Sequence, residues 1–541
     1  MAVDSLFLEG DLMLDLILRG GSVLDGSGRD AFAADVGIKD GKIAEIGAVS
    51  SPAAQEINAA GKIVCPGFID IHRHADASVF REGFGELELR QGLTTIINGN
   101  CGLSLTPVAD AHRDEVLNYL TPIIGTAGDG VKTSSMRDYL DCIGMLPVNV
   151  GMLVGAGVLR ANAAGYDSAP LTQEQLRSVH RQMEQALSDG AFGVSLGLGY
   201  APECFYSTQE LIAALAPLQN TDIPLTVHMR EEGTAVDRAV DEMLTVAQAL
   251  NCPLHISHLK AMGKCNWGIK IPKVLQMLDN ARGNGMDVSW DVYPYTAGST
   301  QLLHIMPPEL LDGGTDEICR KLRDPSERRR LKERLANGTD YDNISALVGW
   351  DNIYMSTLNC PQNQCYAGKS VREIAALRGQ SPEDCVFDLL AEERCMITMI
   401  DFITSEEDIA QILRSDSVNI ISDSTYPTEG KPHPRLYGTF ARVIETYVCR
   451  KKVLTLPEAV KKMTSMPARA LRISGKGLLK VGYDADILFF DPAQVRENAD
   501  YQTPECYCSG YNVIVGGTPA LIDGELQAAK KGMVLRRNEN A

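Results

Sequence analysis

The sequence predicts an α/β protein: a (β/α)8 barrel of the TIM type carrying a small β-sandwich domain formed by both chain termini. Three observations predict it. Between about residues 61 and 474, short apolar runs alternate with stretches of helical periodicity, the signature of parallel α/β structure. The two ends instead alternate apolar and polar residues around turn residues, as antiparallel strands do. The chain has 541 residues, too many for one ordinary domain but suited to a barrel with insertions plus a smaller unit. The expected division is 1–60 for the first part of the β-domain, 61–475 for the barrel with an insertion at about 297–375, and 476–541 for the rest of the β-domain.

Residues 35–46 read as a hairpin turning on Asp40-Gly41, the strongest short hairpin signal. Residues 482–490 and 512–517 read as strands at the other end. Eight barrel strands are expected at 64–74, 94–100, 148–155, 192–200, 225–229, 254–258, 288–293 and 419–423. One helix carries its own signals: Thr172 as N-cap with Gln175 three residues on, Leu176, Val179, Met183 and Leu187 on one face, and Gly190 as the stop. His180 rides on it as a surface or packing residue. In the long connection between the seventh and eighth strands, Asp324 caps, Pro325 takes the first turn and Gly338 ends a helix of mixed charge. Its Arg328-Arg329-Arg330 run is a solvated face, and the insertion as a whole is placed to cover the strand ends as a lid.

Composition removes several classes of function. Residues are 45% hydrophobic and 22% charged, which is ordinary globular composition. With 70 acidic against 51 basic residues the formal charge is -19, which repels nucleic acid and acidic membranes. Neither is expected as a partner. The first 20 residues hold Leu6, Phe7 and Leu8 among Asp4, Glu9, Asp11 and Asp15, without a basic segment or an unbroken apolar one, so no export signal is expected. The 14 cysteines lack paired spacing, apart from the neighbours Cys506 and Cys508, and read as reduced thiols of a cytoplasmic protein.

Active sites of such barrels lie at the C-terminal ends of the strands. The first strand ends in His72-Arg73-His74, where residues two apart share a face, so both imidazoles can grip one metal ion while Arg73 points away. Cys101 ends the second strand, Tyr200 the fourth, His228 the fifth, His258 and Lys260 the sixth, and Asp423 the eighth. Four of nine histidines fall at these ends, with a cysteine and an aspartate. His112, His255, His304 and His433 lack the pattern, and His255 sits on the opposite face of its strand from His258.

In these residues the chain resembles the N-acyl-D-amino-acid deacylases, or D-aminoacylases, of the amidohydrolase superfamily. The likeness spans nearly the whole chain: Pro66-Gly67-Phe68-Ile69-Asp70 with His72 and His74, Gly99-Asn100-Cys101-Gly102, Leu196-Gly197-Leu198-Gly199-Tyr200, His228-Met229-Arg230, Ile256-Ser257-His258-Leu259-Lys260, Asp291-Val292-Tyr293-Pro294-Tyr295-Thr296, Ser422-Asp423, and His433-Pro434-Arg435 with Gly438-Thr439-Phe440. The resemblance implies a tightly held zinc on Cys101, His228 and His258, and a second, weaker position framed by His72, His74 and Asp423. It implies that Asp423 moves the proton from water to the leaving nitrogen, and that Tyr200, Lys260 and Arg435 hold the α-carboxylate of a small N-acyl amino acid. Such a zinc site keeps an open position and acidifies water. Hydantoinases and dihydroorotases of the same superfamily use a carbamylated fourth-strand lysine, and residues 190–200 contain none, with Cys101 filling the bridging role. A related hydrolase of cyclic or modified amides is the alternative, and a silent barrel used for assembly is a third reading. The chain departs from the family pattern at Arg73 and Ala75, where Thr and Asp are common.

Overall fold

The computed structural model describes residues 13–537; the leader expectation falls mostly on residues 1–12, outside the described residues. Both ends of the chain enter one nine-stranded sheet. Its strands run Glu525–Leu526, Thr518–Ile522, Tyr511–Val515, Ile487–Phe490, Ile63–Pro66, Leu14–Val23, Phe32–Lys39 and Lys42–Gly47, with Ala53–Asn58 alongside Leu14–Val23. The Asp40-Gly41 hairpin forms as read, Lys39 opposite Lys42. The two ends of the chain meet where Ile63–Pro66 pairs antiparallel with Ile487–Phe490. Val36, Ile38, Val64, Ile487, Phe489 and Ile514 close one buried cluster between residues from both ends, so burial of shared apolar surface, not chain proximity, joins them.

The run at 64–74 is not one strand, as the sequence led us to expect, but three. Ile63–Pro66 belongs to the terminal sheet, Phe68–Asp70 runs parallel to Leu93–Asn98, and Arg73–His74 runs parallel to Ser424–Thr425. The break falls at Gly67, where a Cβ would lie 2.1 Å from Thr94 Oγ1. Only glycine lets the backbone pass that close while changing sheets.

Each of the eight expected positions contains a parallel strand. Phe68–Asp70, Leu93–Asn98 and Asn149–Met152 form one sheet; Val154–Gly155, Val194–Gly197, Leu225–His228, Leu254–Ile256, Val288–Val292 and Val418–Ile420 form another. Backbone bonds cross the seams: Leu153 N–H donates to Asn98 O at 2.8 Å, Phe192 N–H to Met152 O at 2.8 Å, and Asp423 N–H to His72 O at 2.9 Å. Every residue of Leu93–Asn98, Val194–Gly197 and Leu225–His228 is buried, as parallel strands covered on both faces require. The helix Gln173–Ser188 has the full capping box on Thr172 and Gln175 and buries Val179, Met183 and Leu187. Pro325–Asn337 starts on Asp324, whose carboxylate accepts from the Ser326 and Glu327 N–H groups.

The long insertion builds its own antiparallel sheet, Ala297–Gln301, Thr398–Phe402 and Ile353–Thr357. Its middle strand lies beyond residue 375. All fourteen cysteines are free thiols. No helix among the described residues is long and apolar enough to cross a membrane.

Candidate metal centre and substrate cavity

The strand ends converge on six donor side chains. Cys101 Sγ lies 3.2 Å from His72 Nε2 and 3.5 Å from His258 Nε2, and His258 Nε2 lies 3.0 Å from His228 Nδ1. The Nε2 atoms of His72 and His74 lie 3.4 and 3.3 Å from Asp423 Oδ1. Within 4.8 Å, donor atoms group as His72, His74 and Cys101; as Cys101, His228 and His258; and as His72, His258 and Asp423. Two of these triads share the Cys101 sulfur. Cys101, His258 and Asp423 have φ values of 55°, 37° and 51°, backbone conformations that cost about 1–3 kcal/mol each and cluster where function over-determines geometry.

Electrostatics tests whether a metal suits this set. Burial pushes the Cys101 thiol up, yet His72, His228 and His258 hold it well below the usual thiol range. Burial likewise raises Asp423, while Arg435, His72 and His74 hold its carboxyl well below the usual carboxylate range. A thiolate and a carboxylate enclosed by imidazoles demand positive charge, and a divalent cation on soft sulfur and nitrogen donors meets that demand. The donor set therefore fits zinc chemistry.

The nitrogens turned toward the donor cluster are chosen from behind. Glu232 Oε1 lies 2.9 Å and Lys260 Nζ 2.8 Å from His258 Nδ1, and Glu232 Oε2 lies 3.7 Å from His228 Nε2, so the opposite ring nitrogens, His258 Nε2 and His228 Nδ1, are the ones that face the cluster. Asp291 accepts from the His258 backbone N–H, and its Oδ2 lies 2.8 Å from His255 Nε2 and 3.5 Å from His72 Nδ1. Arg73 faces away, as expected, into Asp70, Glu88 and Tyr426. On the fourth strand Ser195 accepts from Gly102 N–H at 3.0 Å and donates to Gly99 O at 2.6 Å, bracing the loop that carries Cys101.

Above the donors lies a small cavity of about 40 Å³. Tyr200 and Lys260 line it; Tyr200 hydroxyl is 2.8 Å from Thr300 Oγ1, and Lys260 Nζ is 2.7 Å from Glu232. Arg435 is buried beside it, its Nη1 2.9 Å from Asp423 Oδ2 and its Nη2 donating to Ser299 O at 3.0 Å. Thr300, His304, Ile344, Asp401 and Ile403 form the wall contributed by the insertion.

Two amidohydrolase family profiles match the chain, at residues 63–255 and 349–519. D-aminoacylase of Alcaligenes xylosoxydans xylosoxydans is 32% identical over 97% of this chain and 98% of its own length. The N-acyl-D-glutamate deacylase of the same organism is also 32% identical, over 97% of each. Among solved structures, N-acyl-D-glutamate deacylase from Bordetella bronchiseptica, complexed with zinc and a phosphonate mimic of the tetrahedral intermediate, superposes with a TM-score of 0.81 at 30% identity, covering 97% of this chain and 100% of that one. The chain belongs to the D-aminoacylase branch of the amidohydrolase family.

In this amidohydrolase the structure also brings to the centre residues that sequence reasoning did not assign. Glu232 sits in a loop four residues after His228 and carries no periodic signal. Asp291 is the penultimate residue of the strand Val288–Val292, close enough to its end for the strand-end rule that nominated its neighbours to have found it. His304, set aside on pattern, packs against both Tyr200 and His228, tilted to the first and edge-on to the second, with ring centroids 4.8 and 5.5 Å away; burial and the neighbouring His228 lower its pKa to about 3, so it stays neutral. His255 supports Asp291. His433 Nδ1 accepts from the Arg435 N–H at 2.9 Å and so fixes the start of the Arg435 helix. His112 and His180 lie elsewhere, against Glu115 and Ala213 O.

Proposed function

We infer that the chain is a zinc-dependent hydrolase of N-acyl-D-amino acids, releasing a carboxylate and a free D-amino acid. The observation that carries this is the pair of donor triads sharing the Cys101 sulfur, with Asp423 beside them at the floor of a cavity that Tyr200 and Lys260 also line. Cys101, His228 and His258 would hold the tight ion, with His72, His74 and Asp423 framing a second, weaker one. A zinc ion held there would supply Lewis acidity, polarising an amide carbonyl and acidifying water. The protein's own residues do the remainder. Asp423, kept ionised by Arg435, accepts the proton of the attacking water and returns it to the leaving nitrogen. Tyr200, Lys260 and Arg435 hold the substrate α-carboxylate, for which a planar guanidinium is suited. Arg435 then divides its donors between Asp423 and substrate, so binding and proton transfer are coupled through one side chain.

The fold reading that goes with this joins the parallel sheets into a closed (β/α)8 barrel over 61–475, with the terminal sheet as a β-sandwich domain from 1–60 and 476–541. The insertion walls the cavity and acts as its lid. Free thiols and a charge of -19 support a cytoplasmic protein without nucleic-acid or membrane partners. The fourth strand's lack of a lysine, and the use of Ser195 to brace the Cys101 loop, favour linear amides over hydantoin-like rings. Matched N-acetyl-D- and N-acetyl-L-amino acids, with zinc and with chelator, test the reading. Amine release from the D-isomers alone, abolished by chelation, is expected; turnover of cyclic amides with linear ones inert would overturn it.

A further inference from the structure

Four charged side chains at the cavity are already paired, Lys260 with Glu232 at 2.7 Å and Arg435 with Asp423 at 2.9 Å. A fifth is not. Asp401 lines the same cavity and is 3% exposed, and among the described residues its carboxylate has no ion pair, only a hydrogen bond from its own backbone. Its backbone is fixed in the middle strand of the insertion sheet, opposite Gly298 on one side and Ile353 on the other. Ile403, two residues on, lines the same cavity, so an acid and an apolar surface stand side by side.

A buried carboxylate is costly unless a counter-charge or donors come to it. Burial raises Asp401 to about 6, with Lys260 and Arg435 pulling it back, and a cation brought beside it would favour the ionised form. Both cations lie close to it: Lys260 lines the same cavity, and Arg435 Nη2 donates to the carbonyl of Ser299, next to Gly298, which lies opposite Asp401. They are the residues assigned above to the α-carboxylate, so Asp401 stands by the amino-acid half of the substrate and not by the acyl half.

Resting on the deacylase reading, we propose that Asp401 determines side-chain specificity: the cavity takes N-acyl-D-amino acids whose side chain is an apolar stem ending in an ammonium or guanidinium group, and rejects those ending in a carboxylate. The stem covers the apolar wall and the cation supplies the partner that Asp401 lacks. This specificity is opposite in charge to that of the N-acyl-D-glutamate deacylase relative.

The test is kcat/KM of the zinc-loaded full chain on the N-acetyl derivatives of D-lysine, D-arginine, D-methionine and D-glutamate, for the natural protein and for Asp401→Asn. The natural protein is expected to favour the two cationic substrates over D-methionine, and D-methionine over D-glutamate. In Asp401→Asn the lysine-to-methionine ratio is expected to fall tenfold to a hundredfold, the worth of a charged hydrogen bond, and the glutamate-to-methionine ratio to rise. Ratios within one preparation are insensitive to a partly unfolded variant, and the natural protein's own ranking decides the matter if the variant does not fold. Turnover of D-glutamate ahead of D-lysine, or a lysine-to-methionine ratio unmoved by the substitution, overturns the assignment of Asp401 and leaves the deacylase reading standing. No turnover of any of the four overturns both.

Discussion

Glu232→Gln isolates the part played by the carboxylate behind the histidines. In the natural protein that carboxylate, 2% exposed, faces Lys260 Nζ at 2.7 Å, His258 Nδ1 at 2.9 Å and His228 Nε2 at 3.7 Å. Burial raises its pKa, but Lys260, His228 and His258 hold the carboxyl well below its usual range. Glutamine has the same shape but only one acceptor oxygen, so either Lys260 or His258 keeps a partner and the other faces an N–H group. The loss is one charge-assisted hydrogen bond, about 1.5–3 kcal/mol, applied to a buried lysine or to the ring orientation of a metal ligand. Outer partners of this kind change metal affinity or activity by about 10–100-fold, and the two figures agree. Zinc affinity, measured by competition with a chromophoric chelator at fixed pH, is expected to fall by that factor. If zinc affinity and kcat/KM both stay within twofold of the natural protein, Glu232 does not orient these ligands.

Cys101→Ala removes the donor common to both triads, so zinc content and activity are expected to fall together; full zinc retention in metal analysis would sink the ligand assignment. Arg435→Leu is expected to lower kcat/KM on carboxylate-bearing substrates by roughly ten- to a hundredfold, about 1.5–3 kcal/mol, and an unchanged rate would refute its role. Met183→Ala opens a cavity under a fully buried helix face and should destabilise the fold by about 2–5 kcal/mol; a denaturation midpoint equal to that of the natural protein would contradict the packing. Thr172→Ala breaks the capping box of the same helix and should cost about 1 kcal/mol, read from the same denaturation curves.

What the sequence made legible follows from periodicity. Parallel strands buried on both faces are continuous apolar runs, and these marked all eight positions, while the N-terminal hairpin announced itself by Asp40-Gly41. The donor residues were legible because each stands at the end of such a run, from His72 to Asp423. Periodicity is blind to which sheet a residue bonds in, so the break at Gly67 went unread until Thr94 was seen to occupy the space of its missing side chain. It is equally blind to loops that arrive from far along the chain. Glu232 comes from a βα loop, and His304 and Asp401 come from an insertion whose own sheet pairs residues about a hundred apart in sequence, such as Gly298 with Asp401. No local pattern encodes that meeting. Arg435 was named from a motif, but its ion pair with Asp423 depends on how the helix Arg435–Arg442 enters, held by His433.

On the proposed reading, catalysis rests on a metal held by Cys101 together with His228 and His258. Anomalous diffraction at the zinc edge from crystals of zinc-loaded protein tests it directly. The strongest peak is expected about 2.3 Å from Cys101 Sγ and about 2.0–2.1 Å from His228 Nδ1 and His258 Nε2, with any weaker peak between His72, His74 and Asp423. A dominant peak bonded to neither Cys101 nor His228 would contradict it.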